Sequence, residues 1–545
     1  MSNIHARIRM KETSCDPLLG SLTAIVTIAF AVLFCIPAAA QTSKNADVGW
    51  PMYNGGYAGD RFSSLKQITK ENVGNLVEVA RQELPETTSF QTGPVVVGNM
   101  MYVTTATATY AINAVTGKLL WTQKYAAKSL GLGTPVRGVA YSDGRLYRGT
   151  PDAHALALDA KTGRVIWDVA AGDAAKGEYF TVAPLVWEGR LYIGTSGSDI
   201  GTVGRMMALD IKDGHRMWNF DIVPSSGPGS ETWPSAPTKL RAGGGMYSSF
   251  AIDPSTGMLY IPTGNPGPDF AGDYRPGDNL YTCSVVMLDA RTGALRGYHQ
   301  FAPHDVHDWD IAASPILFTS KAGHKMVAVG GKNGYLYGLN RELSQVTFRT
   351  AITTIENTDA PITKDGTRFC PGTQGGVNWY GPAYSPEQNA LYVNSIDWCT
   401  VVKLGGAETL EHTPGKPFLG SSNAFGDSDS HNKTGWLTAV DADSGKTLWK
   451  YHSSLPMVAA ITPTAGGVVF TGDLDGNLLA FDGASGKILF QKKAGGPIGG
   501  GVVTYMIDGK QYVGVAAGME GAIMQIKSGP AAVVIYSLPL QTGKP

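Results

Sequence analysis

Charge of either sign is sparse in this sequence. Lys and Arg together number 44, Asp and Glu 45, and the net charge is −1 at pH 7 over 545 residues. No long basic or acidic run occurs, so no nucleic-acid partner is expected. Cysteine is scarcer still, at five residues. None of them forms a Cys-x-x-Cys pair, which excludes the common zinc patterns, and no Cys-x-x-Cys-His exists for covalent haem attachment. Long apolar runs are confined to one, Leu18 to Pro37. It follows Arg7, Arg9 and Lys11 and precedes Ala38-Ala39-Ala40 and Gln41. That order of basic, apolar and small residues predicts a signal peptide over residues 1–40, cleaved after Ala40; an uncleaved anchor is the alternative. With no second such run, the mature chain should carry no membrane span.

Cys15 and Cys35 would leave with the signal. Cys283, Cys370 and Cys399 remain, and in an oxidising compartment one disulfide plus one free thiol is the simplest account. We expect Cys370 and Cys399 to pair and Cys283, in the strand-like run from Leu280 to Leu288, to be buried.

Glycine, by contrast, is abundant at 69 residues. It carries no collagen period and is mixed with Val, Tyr and Thr, which reads as many tight turns between short strands. A unit recurs whose ideal end is Ala-x-Asp-Ala-x-Thr-Gly-x-x-x-Trp. Ala157 to Trp167 fits it fully; looser copies run Ala111 to Trp121, Ala208 to Trp218, Met287 to Gly297, Ala439 to Trp449 and Ala480 to Phe490. A second strand stands before several copies, as at Arg190 to Thr195. Repeats of strands at this period point to a propeller or a β-solenoid. Trp121, Trp167, Trp218 and Trp449 are too regular for ligand contacts and should dock each unit on the next. A ring must close, so a weak strand near Asn75–Gln82 should complete the last unit. The wide gaps from 218 to 287 and 341 to 437 hold irregular insertions, where repeat arrays often place function.

One stretch looks least like scaffold. Phe301 to Asp310 packs three carboxylates and two imidazoles into ten residues. Asp308 and Asp310 are two apart, and in an extended segment they would point to one side. Carboxylates so placed repel, so one should hold a proton or both should share a cation. The alternative is a solvated acidic turn. Other polar clusters interrupt the repeat at Thr134 to Val139, Gly194 to Gly201 and Thr263 to Pro266. Asp199, Asn265, Asp308 and Asp310 offer only oxygen, a set suited to Ca²⁺ or a larger trivalent ion. Singly, an Asp or Asn in a Gly-rich turn is usually a turn residue.

Thr263-Gly264-Asn265-Pro266, Arg275-Pro276-Gly277-Asp278-Asn279, His304-Asp305-Val306-His307-Asp308 and Gly376-Val377-Asn378-Trp379, together with the Trp-ended repeats and the Trp50-Pro51 opening, resemble the pyrroloquinoline quinone (PQQ) alcohol dehydrogenases. The resemblance covers nearly all of the mature chain. It implies an all-β, eight-bladed propeller of four-stranded antiparallel blades, with 41–545 as a single domain. It also implies periplasmic oxidation of an alcohol to a carbonyl, with PQQ and Ca²⁺ as cofactors and a lanthanide ion as the alternative metal. By resemblance, Asp308 is the catalytic base and Lys332 the cation at the quinone oxygen. Arg137, Tyr247, Gln91, Asn378 and Trp379 take cofactor or pocket positions. Asp199, Asn265 and Asp308 are metal ligands, and Asp310 matches an extra Asp of lanthanide-using members. A small alcohol would be the substrate and a separate soluble cytochrome c the electron acceptor.

Departures from the family pattern bear on the site. Gly131-Leu132 stands where a pair of adjacent cysteines is usual, Asp199 and Gln91 where Glu is usual, Tyr247 and His307 where Trp is usual. Of these, the missing cysteine pair, Tyr247 and His307 suggest a pocket for a larger, secondary or cyclic alcohol. A quinoprotein acting on sugars or polyols, and a non-catalytic propeller scaffold, are the alternatives.

Overall fold

The computed structural model describes residues 47–128, 135–235, 239–311, 313–424, 427–428, 433–521, 524, 526 and 530–539. The expected signal segment and the Gly131-Leu132 pair lie outside the described residues. Eight four-stranded antiparallel sheets follow one another along the chain, which is the expected eight-bladed propeller. The first blade comprises Val95–Val97, Met100–Thr104, Ala108–Asn113 and Leu119–Lys124. The eighth is assembled from both ends of the chain. Val77–Glu83 pairs antiparallel with Ala532–Ser537, Val77 opposite Ser537 and Glu83 opposite Ala532, so the early strand closes the ring as the repeat required.

The repeat also explains how blades are joined. In each Trp-ended copy the indole donates to a carbonyl in the hairpin turn of the next blade: Trp121 to Ala160 at 3.2 Å, Trp167 to Ile211 at 3.1 Å, Trp218 to Ala290 at 3.1 Å and Trp449 to Gly483 at 3.0 Å. A tyrosine from the same blade's second strand donates to the same oxygen, as Tyr192 does to Ala290 at 3.0 Å and Tyr392 to Gly483 at 2.9 Å. The receiving turn carries the glycine of the repeat. A Cβ on Gly163 would lie 2.6 Å from the Trp121 ring, and its φ is +74°. Glycine is thus needed there for the turn and for the close approach of the indole.

Two insertions interrupt the blades. Ala242–Gly243 pairs with Pro266–Gly267, and Thr367–Phe369, Thr400–Val402 and Asp427–Ser428 form a small separate sheet. The Cys370–Cys399 disulfide is present beside that sheet, and Cys283 is free and buried, both as expected. Among the described residues no helix is long and apolar enough to cross a membrane.

Candidate active site

In a four-stranded antiparallel blade, the turn from the second strand to the third and the connection to the next blade lie at the same end. The Trp-docking hairpins lie at the other. Every residue expected at a site falls on the first end. Gln91, Arg137, Tyr247, Asp308, Asp310, Asn378 and Trp379 sit on connections between blades, and Asp199, Asn265 and Lys332 on second-to-third turns.

Lys332 and the two aspartates form the centre. Nζ of Lys332 lies 2.9 Å from Oδ2 of Asp308 and 2.8 Å from Oδ2 of Asp310, and all three are buried. The Lys332 ammonium is thus one cation that the crowded carboxylates share. The backbone around them is not the extended segment expected from the i, i+2 spacing. Asp305 accepts the amides of His307 at 3.1 Å and Trp309 at 3.0 Å, turning the chain. Asp308 takes a φ of +63°, a strained conformation for a side-chain-bearing residue.

Asp310 accepts from three donors. Tyr247 gives its hydroxyl to Oδ2, which Lys332 also contacts, and the Asn265 amide donates to Oδ1 at 2.7 Å. Its position also shows why residue 264 is glycine: a Cβ there would lie 2.7 Å from Oδ1 of Asp310 and 2.9 Å from the Gly245 carbonyl. Other oxygens at this end have no hydrogen-bond donor among the described residues. Among them are Oδ1 of Asn265, Oδ1 of Asp308 and both carboxylate oxygens of Asp269. Asp199, Asp269 and Asp308 each bring a carboxylate oxygen within 4.8 Å of the other two.

Asp269 escaped the sequence reading. It lies four residues after Asn265, in the turn Pro266-Gly267-Pro268-Asp269. A carboxylate in a turn locked by two prolines was the available signal. Arg275 fixes that turn. Fully buried, its guanidinium donates to the Pro268 carbonyl at 2.9 Å, to the Asp269 carbonyl at 2.7 Å and to Asn279 Oδ1 at 2.8 Å, and it also contacts the Asp305 carbonyl. One side chain thereby joins the Asp269 turn to the Asp308 segment. The insertion after the disulfide braces the same turns. The Phe418 amide donates to the Asp199 carbonyl at 2.7 Å and the Phe270 amide to Leu419 at 2.9 Å.

Burial dominates the electrostatics. It pushes the Asp308 and Asp269 carboxyls well above the usual carboxylate range; neighbouring aspartates add to this, while Lys332 opposes it at Asp308. Asp199 is pushed up to about 6 by burial and then by Asp310. Burial pulls on Lys332 in the other direction, but Asp308, Asp310 and Asp199 outweigh it and hold the ammonium above its ordinary pKa. A cluster that resists ionisation and carries donorless oxygens suits a multivalent cation.

A flat wall stands beside the cluster. The Arg137 guanidinium lies 5.5 Å from the Tyr247 ring centre and 5.7 Å from that of Trp379, and donates to the Tyr247 carbonyl. The Trp379 indole is anchored on the Gly499 carbonyl at 2.8 Å. Asn378 donates to the Gln374 carbonyl at 3.2 Å, and Gln91 to Ser89 Oγ at 2.9 Å. Among the described residues neither bonds to the acidic cluster. His307 turns away from it. Its ring stacks 4.3 Å from Trp309, its Nε2 lies 3.2 Å from the Ala360 carbonyl, and it lines a cavity of about 1020 Å³ with Asp305, Trp309, Phe270 and Tyr337.

The family described as "Glucose/ethanol/alcohol dehydrogenase, beta-propeller domain" matches residues 50–345 and 344–432. The family described as "Outer membrane protein assembly factor BamB" matches residues 433–529. A lanthanide-dependent methanol dehydrogenase of Methylacidiphilum fumariolicum is 31% identical over 522 residues, covering 87% of this chain and 85% of that one. A 1-butanol dehydrogenase (quinone) of Thauera butanivorans is 30% identical over 611 residues, covering 94% and 95%. Among solved structures, a europium-containing methanol dehydrogenase superposes with a TM-score of 0.81 at 27% identity, covering 90% of this chain and 98% of that one.

Proposed function

The chain belongs to the quinoprotein alcohol dehydrogenase family, and from that premise we propose that it oxidises an alcohol to a carbonyl with PQQ and a bound Ca²⁺ or lanthanide ion. The observation that carries the reading is the buried Lys332–Asp308–Asp310 cluster set against donorless oxygens of Asn265, Asp308 and Asp269. When bound, the quinone supplies the hydride acceptor and the ion polarises it.

The chain's own residues have distinct tasks. Asp308 takes the hydroxyl proton of the alcohol as the carbinol hydrogen leaves with its electron pair. Its raised pKa strengthens it as a base, and the adjacent ammonium limits the rise. Lys332 would stabilise the negative charge that develops on the quinone. Asp199, Asn265 and Asp308 would hold the ion, and Asp310 would add negative charge beside it. Arg137 would contact the quinone, and Tyr247 and Trp379 would offer it flat faces. Gln91 and Asn378 complete the pocket rim.

The finer proposals concern substrate and place. Tyr247 is smaller than the Trp usual in the family, and His307 packs away from the base. Both favour a larger, secondary or cyclic alcohol, and the similarity to a 1-butanol enzyme is in keeping with that. We place the enzyme in the periplasm, passing electrons to a soluble cytochrome c. The test is dye reduction by the metal-stripped apoprotein, with and without PQQ and with Ca²⁺ or La³⁺, over primary, secondary, cyclic and polyhydroxy alcohols. Equal activity without PQQ overturns the function. Methanol as the best substrate by kcat/KM overturns the substrate class.

A further inference from the structure

Two aspartates compete for the role of additional carboxylate at the ion. Asp310 was expected from its place two residues after the base. Its oxygens already accept from Lys332, Tyr247 and the Asn265 amide. Asp269 is at least as deeply buried, at 0% exposure against 3% for Asp310, and neither of its oxygens meets a donor among the described residues. One of them lies within 4.8 Å of carboxylate oxygens of both Asp199 and Asp308. A buried, bare carboxylate aimed at two others is strongly unfavourable without a cation to share.

We propose that Asp269 is a direct ligand of the bound ion, and that Asp310 serves instead to position Lys332 and Tyr247. This inference rests on the metal site proposed above. The local build supports it. Asp199 is one methylene shorter than the Glu usual at its position, so its side chain reaches less far. Asp269 enters from the adjacent Pro-Gly-Pro turn and supplies a further hard oxygen. Arg275 holds the Asp269 carbonyl at 2.7 Å, leaving the carboxylate directed at the cluster. The ion then faces three carboxylates and one amide oxygen. That charge favours a trivalent ion over Ca²⁺ by Coulomb attraction.

The test uses Tb³⁺ as the probe on the full mature chain reconstituted with PQQ. Luminescence lifetimes in H₂O and D₂O count the waters on the ion, and titration gives its affinity. Asp269→Asn, which keeps an oxygen in place but loses the charge, should weaken Tb³⁺ binding at least tenfold, and weaken it more than it weakens Ca²⁺. Asp310→Asn should leave the water count unchanged while lowering turnover. Asp269→Ser, which leaves no oxygen of equal reach, should weaken Tb³⁺ binding likewise and admit at least one more water. Thermal melting of the metal-free proteins checks folding; because Asn relieves charge crowding, Asp269→Asn should melt no lower than wild type. An unchanged water count in Asp269→Ser overturns the assignment, as does an added water in Asp310→Asn alone. Wild-type protein that takes up neither Tb³⁺ nor Ca²⁺ overturns the metal site itself.

Discussion

Nζ of Lys332 lies 2.9 Å from Oδ2 of Asp308, and both side chains are buried. A base and a cation held this close out of water depend on each other. Removing the cation leaves two buried anions uncompensated. Lys332→Met is expected to destabilise the metal-free protein by about 3–5 kcal/mol, the range for a broken buried pair, measured by urea unfolding at pH 7. Asp308→Asn should do the opposite to stability and end turnover. It removes one crowded carboxyl, so the melting temperature should hold or rise, while kcat falls by about 10²–10⁴ for loss of a general base. A variant that melts much lower than wild type would place Asp308 in the scaffold rather than the chemistry.

Arg275 makes a second prediction. Its guanidinium serves carbonyls of Pro268, Asp269 and Asp305 and the Asn279 side chain, with no exposure to solvent. Charge-assisted bonds of this kind contribute about 1.5–3 kcal/mol each. Arg275→Lys cannot reach several acceptors with one point charge. It should lower stability by more than about 3 kcal/mol and weaken metal uptake, because the Asp269 turn loosens from the Asp308 segment. Arg296→Ala is the comparison. Arg296 pairs with Asp289 at 3.1 Å on the surface, and its loss should cost about 0–1 kcal/mol. Equal costs in the two unfolding curves would refute the clamp.

Much of this was legible in the chain. The Trp-ended repeat led to the propeller because each Trp, Tyr and Gly has a local task that repeats in sequence. Ring closure by Val77–Glu83 followed from topology alone. The site was legible where two signals coincided, as at Asp308 and Lys332. Asp269 was not, because its importance lies in having no partner, and that emerges only from the folded surroundings. His307 shows the same limit. Its place beside the base is sequential, whereas the turn made by Asp305 sends its ring to Trp309. Asp310 was legible as part of the cluster, but its three donors come from Tyr247, Asn265 and Lys332, on three separate connections.

The blade joint can be tested at one glycine. A Cβ on Gly163 would approach the Trp121 ring to 2.6 Å at a φ of +74°. Gly144 has a similar φ of +77° and nothing within 4 Å of its Cβ. Gly144→Ala therefore measures backbone strain alone, about 1 kcal/mol. Gly163→Ala adds displacement of the indole and its bond to Ala160 at 3.2 Å, for a total of roughly 2–4 kcal/mol. Thermal unfolding should separate the two, with Trp fluorescence shifted only in Gly163→Ala. Equal melting temperatures would show that the joint tolerates the methyl group.

A last prediction concerns pH and lies away from the metal cluster. Asp60 sits in the N-terminal coil, where its carbonyl accepts the Tyr384 amide at 2.9 Å and its carboxylate the Phe62 amide at 3.4 Å. Burial pushes its pKa from 3.8 up to about 6, against the backbone amides of Phe62 and of Asp60 itself, which lower it. Below pH 3.8 the carboxyl is protonated in both folded and unfolded chains and exerts no pH-dependent effect. As pH rises through about 6 the unfolded chain has already ionised freely, while the folded chain must ionise a carboxyl held away from water. Stability is therefore lost across that window. Asp60→Asn removes the titration and should stabilise the protein at pH 8 by roughly 1–3 kcal/mol, with little effect at pH 4. Asp199 is also pushed up to about 6, so the measurement is the difference between variant and wild type at each pH. A difference that stays flat from pH 4 to 8, or that favours wild type at pH 8, would show that Asp60 ionises in the fold as easily as in water.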